Sequence, residues 1–253
     1  MTSDYREVSY PLNVFMRVFA LEGHRVRDLH YGLFQSPDDS LVDAQERSTA
    51  LLLARLPAPP ARLLDVGMGL GALLHRLTSL GYDAHGIGPD ASQYAILRAR
   101  YGNDLHATCV AFDAYDPQGG SFDVVIFQES SQYLDPALLF AKARTLTARV
   151  LVLDEFALQP LEEPGALHAW DAFLAAAADA GFTLHETLDL SAQAAPTIDY
   201  FLARIPQHHD ALVRDLGVTD ADLHALVASG QRYRERYRTG VYGYRLADFR
   251  RSP

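Results

Sequence analysis

The sequence predicts an α/β fold, a mostly parallel sheet with helices on both faces, and two observations carry that reading. From Arg62 onward, short continuously apolar segments alternate with longer amphipathic ones. That is the pattern of strands buried on both faces and of the helices that cover them. The first apolar segment, Arg62 to Val66, then runs directly into the glycine-rich turn Gly67-Met68-Gly69-Leu70-Gly71, with a helical pattern from about Ala72. Composition agrees: 49% hydrophobic and 21% charged residues in 253 are ordinary for a folded chain and enough for one large domain.

Taken in order, residues 13–34 and 40–56 read as helices, the second ended by Pro57, Pro59 and Pro60. Spacings of three and four place Leu41, Ala44, Ser48 and Leu52 on one face of that second helix. Strands are expected at 62–67, 83–88, 107–113, 122–128, 149–155, 182–189 and 241–249. Helices are expected at 72–81, 91–102, 136–146 and 165–181. Residues 191–238, between the last two strands, read as a mostly helical insertion lying over the sheet. The organisation is therefore one structural domain with a helical cap (1–60), a core (61–190), a lid insertion (191–238) and a final core strand (239–253).

Charge narrows the partners. The formal net charge is −10, so the chain lacks the positive field that holds phosphate backbones, and no nucleic-acid partner is expected. The one basic cluster, Arg232 to Arg238, reads as a solvated helix face with Tyr233 and Tyr237 packed inward. The single cysteine, Cys109, excludes an internal disulfide or a cysteine metal cluster and reads as a small core hydrophobe. No secretory signal and no apolar run of membrane-spanning length are visible, so a cytoplasmic protein without a membrane partner is expected, as monomer or homodimer.

The glycine-rich turn lets a ligand approach the backbone, and the helix behind it offers free N–H donors. Gly67, Gly69 and Ala72 also satisfy the dinucleotide fingerprint, which leaves a nicotinamide cofactor open. Asp65 argues otherwise. A carboxylate two residues before the first glycine repels a pyrophosphate and suits a cofactor with an ammonium group and no phosphates, as in S-adenosylmethionine (SAM).

With Asp65, Gly67, Gly69 and Gly71 in the spacing acid-x-G-x-G-x-G, the sequence resembles the class I SAM-dependent methyltransferases. Upstream, Tyr31, Gly32, Phe34, Leu41, Ala44 and Gln45 resemble the opening segment of cyclopropane fatty acid synthases and related small-molecule methyltransferases. The resemblance implies a Rossmann-like seven-stranded sheet with a final antiparallel strand pair. It also implies that Tyr31 lies against the methionine end of SAM, although Gly32 stands where the family has serine. At the second strand's end, Gly88 replaces the usual ribose-binding acid. The branch's pattern assigns the ribose to Gln93, with Asp90 as the competitor. Asp113 and Ala114, at the expected end of the third strand, resemble the adenine site; Asp113 could instead cap the next turn. Gln128 and Glu129 are implied at the fourth strand's carboxyl end, facing cofactor and acceptor.

Methyl transfer is an in-line displacement that depends largely on alignment, and a base is needed only for a protonated acceptor. Glu129, Tyr133, His30 and His168 are the candidates. Glu129 leads, because a carboxylate at a strand end is costly to bury without a role; its alternative is a cap on the helix starting near Asp135. The insertion, with Tyr200, Phe201, Tyr233 and Tyr237, resembles the substrate-covering insertion of glycine and sarcosine methyltransferases. Those aromatics either form core or line an acceptor cavity, where their faces would favour cations. Tyr31 and the insertion are expected to meet above Glu129. The expected acceptor is a small polar metabolite or natural-product intermediate, methylated at N, S or O. The alternatives are another SAM-binding reaction, such as cyclopropanation or cyclisation, and a non-catalytic partner protein that kept the fold.

Overall fold

The computed structural model describes residues 5–117, 119–161 and 167–251. In chain order the elements are α1 (Leu12–Leu21), α2 (Leu41–Leu53), β1 (Arg62–Val66), α3 (Ala72–Ser79), β2 (Asp83–Gly88), α4 (Ala91–Tyr101), β3 (His106–Cys109) and β4 (Val124–Gln128). They continue with α5 (Pro136–Leu146), β5 (Arg149–Ala157), α6 (Trp170–Asp179), β6 (Phe182–Asp189), α7 (Ser191–Ala194), α8 (Pro196–Gln207), α9 (His209–Leu216), α10 (Asp220–Arg238) and β7 (Tyr242–Arg251). The chain divides into two compact units: Met1–Ser48 with Ala192–Thr239, and Thr49–Ser191 with Gly240–Pro253. Among the described residues, no helix is long and apolar enough to cross a membrane.

The larger unit holds a seven-stranded sheet in the order β3-β2-β1-β4-β5-β7-β6. The β1, β2, β3, β4 and β5 ladders are parallel, and β7 runs antiparallel to both neighbours. The fold class expected from the sequence is therefore the one observed. On one face, alternate residues of the central strands (Leu64, Val66, Val125, Phe127, Val150, Val152) join one buried cluster with α5 and α6. Phe140 sits at its centre, with ring centroids 5.0, 5.7 and 5.1 Å from those of Phe173, Phe182 and Phe249. Each such buried ring contributes about 1.5–3 kcal/mol through burial, and the edge-on pairing adds to it. Helix α5 starts at a side-chain cap. Asp135 accepts from the Leu138 N–H at 3.0 Å ahead of Pro136, whose missing N–H costs nothing there. Glu129 is thus not the cap of α5.

Three expectations need correction. The strand expected at 107–113 is only His106–Cys109. It lies at the sheet edge, and after the Val110 N–H bonds to the Gly88 carbonyl the chain turns away, so Phe112 to Ala114 form a turn. For the same reason Cys109 is exposed and not a core residue; its thiol reaches only the Pro89 carbonyl, at 3.7 Å. The helix expected over 13–34 stops at Leu21, where Gly23 adopts φ 82° and residues 24–34 continue without helix. The helix expected from Gly165 begins at Trp170; residues 162–166 lie outside the described ones.

The smaller unit packs α1 against α8 and α9. Phe15 meets Phe201 with centroids 4.7 Å apart, and Arg204 lies 3.8 Å over the Tyr200 ring. Glu22, just past α1, accepts from Arg204 at 2.8 Å and pairs with His208 at 2.6 Å; these bonds hold its carboxyl below the usual carboxylate range. Tyr200 and Tyr237 are buried here, whereas the arginines at 232, 234 and 238 are exposed. The four α2 positions expected on one face are all buried.

Candidate functional site

The site grows from the carboxyl end of β1. Asp65 is 2% exposed, and its Oδ2 has no hydrogen-bond partner among the described residues. Burial alone pushes its carboxyl up to about 7, because nothing in this unit compensates the charged form. Gly67 and Met68 then donate their N–H groups to the Ile87 carbonyl, turning the chain sharply off the strand. At Gly67 φ is 77°, and a Cβ there would stand 2.3 Å from the Ser130 Cβ, so only glycine fits. Gly71, at φ 82°, caps α3 and lies against Leu97. Gly69 differs: a Cβ there would meet nothing closer than Gln93 Oε1 at 3.8 Å, so this stretch of backbone faces open space.

The second strand brings the ribose candidates together. Asp90 caps α4, accepting from Ser92 N–H at 2.9 Å and Gln93 N–H at 3.1 Å. Its second oxygen accepts from Gln93 Nε2 at 3.2 Å, which leaves Gln93 Oε1 as the group nearest Gly69. Gly88 has ordinary space around it, its nearest neighbour being Met68 Cγ at 3.8 Å. A separable outcome follows. Gln93→Ala should lower SAM affinity by about 0.5–1.5 kcal/mol without lowering stability, the value of one neutral hydrogen bond. Asp90→Ala should cost about 1 kcal/mol of stability through the lost cap. Calorimetry and thermal melts of both variants check this; a larger affinity loss for Asp90→Ala reverses the ribose choice.

Asp113 and Ala114 are exposed in the turn after β3. Across the sheet, Ile126 is the register partner of Asp65, and strand alternation puts Gln128 on the same face. Gln128 Nε2 is buried with no partner among the described residues. Two orphaned polar atoms, an acceptor on Asp65 and a donor on Gln128, thus face one side of the sheet. Such atoms are costly to leave unpaired, and they mark a place for a ligand with both a donor and an acceptor.

Glu129 follows β4. It is the only non-glycine residue among those described with a left-handed backbone, at φ 54°, a conformation that costs a non-glycine residue roughly 1–3 kcal/mol and collects at functional sites. Its N–H bonds the Leu153 carbonyl at 2.9 Å, and its Oε1 accepts from the Tyr244 hydroxyl at 2.6 Å. Asp154 holds the next turn: its Oδ2 accepts from Ser131 N–H at 2.9 Å, Ser131 Oγ at 2.6 Å and Gln132 N–H at 3.2 Å. Burial pushes Asp154 up to about 6 against those bonds. Tyr133, at the end of this turn, is 75% exposed. His168 has a buried Nε2 without a partner among the described residues and lies along Phe173.

His30 and Tyr31 belong to the smaller unit. His30 is buried, its Nδ1 2.9 Å from the Tyr31 carbonyl, and its own carbonyl accepts from Gln45 Nε2 at 2.7 Å. The departure at Gly32 has a local cause. A Cβ there would stand 2.5 Å from the Ala44 Cβ, and the Gly32 N–H donates to Thr197 Oγ1 at 3.0 Å. Serine does not fit against α2 at that distance.

Tyr244 and Asp154 were not among the expected site residues. One signal for the second was present: the pair Asp154-Glu155 interrupts an otherwise apolar strand, where charge is expensive to bury.

Residues 64–150, from β1 to the start of β5, match the methyltransferase domain family. That segment is similar to a methyltransferase domain. No curated protein sequence is a match. Three solved structures share the fold of this chain. A protein assigned as a sarcosine dimethylglycine methyltransferase from Galdieria sulphuraria has a TM-score of 0.81 at 14% identity, over 94% of this chain and 97% of its own. The cyclopropane synthase MmaA2 from Mycobacterium tuberculosis has a TM-score of 0.80 at 18% identity, over 97% and 95%. The cyclase SpnF has a TM-score of 0.78 at 19% identity, over 98% and 96%. At such identities the likeness concerns the class I methyltransferase fold.

Proposed function

We propose that this protein is a SAM-dependent methyltransferase acting on a small-molecule acceptor at N, S or O. The observation that carries the reading is the conjunction at one sheet end of the buried Asp65 carboxylate, whose Oδ2 has no partner among the described residues, with the strained, tyrosine-bound Glu129 carboxylate. Ser130 links them, packing under Gly67 from the residue next to Glu129. When bound, SAM supplies a methyl group already activated on a sulfonium. Asp65 and the open backbone at Gly69 would hold its zwitterionic end, Gln93 the ribose and Asp113 the adenine amine, with Ala114 and Gln128 beside them. Glu129 would orient the acceptor and take a proton from it where one must leave, with Tyr244 fixing its carboxylate.

Methyltransferase, cyclopropane synthase and cyclase all occur among proteins of this fold, so the test must separate reaction types. The purified chain is incubated with SAM and panels of small amines, thiols and hydroxy acids, and products are read by mass spectrometry. Methylated product with equimolar S-adenosylhomocysteine is the expected result. Product without S-adenosylhomocysteine would assign a cyclisation; SAM binding without turnover of any panel would favour a non-catalytic partner.

A further inference from the structure

A second cluster lies at the opposite end of the same sheet, at the amino-terminal halves of β2 and β3. Residues 83 and 85 are two apart on β2, so both side chains project from one face. His106 opens β3 and is the register partner of His85 in the parallel ladder, on that same face. Local backbone geometry alone therefore gathers a carboxylate and two imidazoles. Asp83 Oδ1 and His85 Nε2 are 3.1 Å apart, and the two histidine rings meet edge-on with centroids 5.1 Å apart. One ligand atom from each of the three residues lies within 4.8 Å of the other two. Among the described residues no other trio of His, Cys, Asp or Glu does so.

We propose that Asp83, His85 and His106 form a binding site for a divalent transition-metal ion of the zinc(II) type. Bonds of about 2.0–2.2 Å to nitrogen and oxygen place neighbouring ligand atoms about 3–3.5 Å apart. The Asp83–His85 separation already has that value. His106 is exposed, so its ring closes the remaining gap by a small rotation without disturbing the core. Two imidazoles and one carboxylate form a donor set suited to zinc, cobalt, nickel or iron(II), and three protein ligands leave a position for water or a small anion. That position has room: a groove of 480 Å³ lined by His85, His106, Thr108 and Asp116 runs beside the cluster.

The nearby cation does not fill the site. Arg62 Nε is 3.4 Å from the other Asp83 oxygen, Oδ2. Its guanidinium is anchored independently by the Gly119 and Gly120 carbonyls and lies 4.5 Å over the Phe122 ring. Asp83 Oδ1 and His85 Nε2 contact each other, and a metal ion would take the place of the proton between them, with His106 beside. The ion would tie the short edge strand β3 to β2, away from the SAM loop, so the proposal stands apart from the assignment of the reaction.

The test uses the whole chain without SAM. Cobalt(II) titration is followed by visible absorption, and zinc(II) binding by calorimetry and thermal melting. One equivalent of cobalt should give d–d bands that zinc abolishes, and zinc should raise the melting midpoint. His106→Ala, which removes an exposed ligand, should lose the bands and at least tenfold in zinc affinity, as should Asp83→Asn. His85→Gln, checked for folding by circular dichroism, should do the same. Absence of bands in the parent protein, or unchanged bands and affinity in His106→Ala, overturns the site and assigns any bound metal to other surface histidines.

Discussion

Asp65→Ala should weaken SAM binding by about 1.5–3 kcal/mol, roughly 10- to 150-fold, while the chain stays folded. Among the described residues nothing satisfies Asp65 Oδ2, so removing the carboxylate breaks no hydrogen bond from them to that atom. On the proposed reading, what disappears is the partner of the cofactor's ammonium group. Isothermal calorimetry on the folded variant decides it, and unchanged affinity would remove Asp65 from the cofactor site.

The same residue predicts a pH dependence whose sign can be worked out. The folded carboxyl sits at about 7, against an ordinary value of 3.8. Below about pH 4 both folded and unfolded states carry the proton. Between pH 4 and 7 the unfolded chain ionises while the folded one holds its proton, so stability of the ligand-free protein falls across that window. Above pH 7 the loss is complete, on the order of 4 kcal/mol from a shift of about three units. Asp154, at about 6, adds a loss of the same sign that ends lower. Asp65→Asn should therefore match the parent at pH 4 and exceed it at pH 8 in urea melts. An ammonium ligand favours the ionised form, so SAM should bind more tightly as pH rises to 7, releasing a proton below that. Identical pH profiles of stability for parent and variant would show that Asp65 already titrates normally.

How much of this was readable from residues alone depends on where each signal resides. The strands β1, β4 and β5 are buried on both faces, so continuous apolarity located them directly. Edge strand β3 misled for the same reason: the apolar residues after Cys109 include Phe112, which is buried from a turn and packs edge-on against Phe127 at 5.3 Å. Apolarity there marks an anchor and not a strand. Residues 22–34 likewise contain buried Val26 and Leu33, single anchors in a loop that an eye for helix takes as periodicity. The glycine loop was readable because its constraint is local. Tyr244 was not, because its link to Glu129 spans 115 residues. It depends on the antiparallel register that sets Tyr244 opposite Glu155 on β5, one strand away from Glu129. The left-handed backbone at Glu129 was equally hidden, since glutamate carries no preference for it.

Glu129→Gln should lower turnover by roughly 10²- to 10⁴-fold, the usual value of a positioned proton acceptor, while leaving SAM affinity within about twofold. The substitution keeps the side chain's size, so the fold and the cofactor loop are undisturbed. The amide can still accept the Tyr244 hydroxyl, so any loss belongs to the missing charge and basicity. Tyr244→Phe separates the two roles. It leaves the carboxylate but removes the 2.6 Å bond that fixes it, in a side chain that is fully buried. Its expected effect is smaller, roughly tenfold in kcat, with the pH–rate profile displaced upward, because a carboxylate that loses a donated hydrogen bond becomes more basic. Such a displacement is not expected from a merely structural loss, which would lower kcat at every pH alike. Should the acceptor carry no proton to lose, Glu129→Gln would act mainly on KM, and the kcat against KM split then reports the acceptor's chemistry. Full activity in Glu129→Gln, with parent-like kcat and KM, would place the acceptor away from this carboxylate and leave the strain at φ 54° without a catalytic reason.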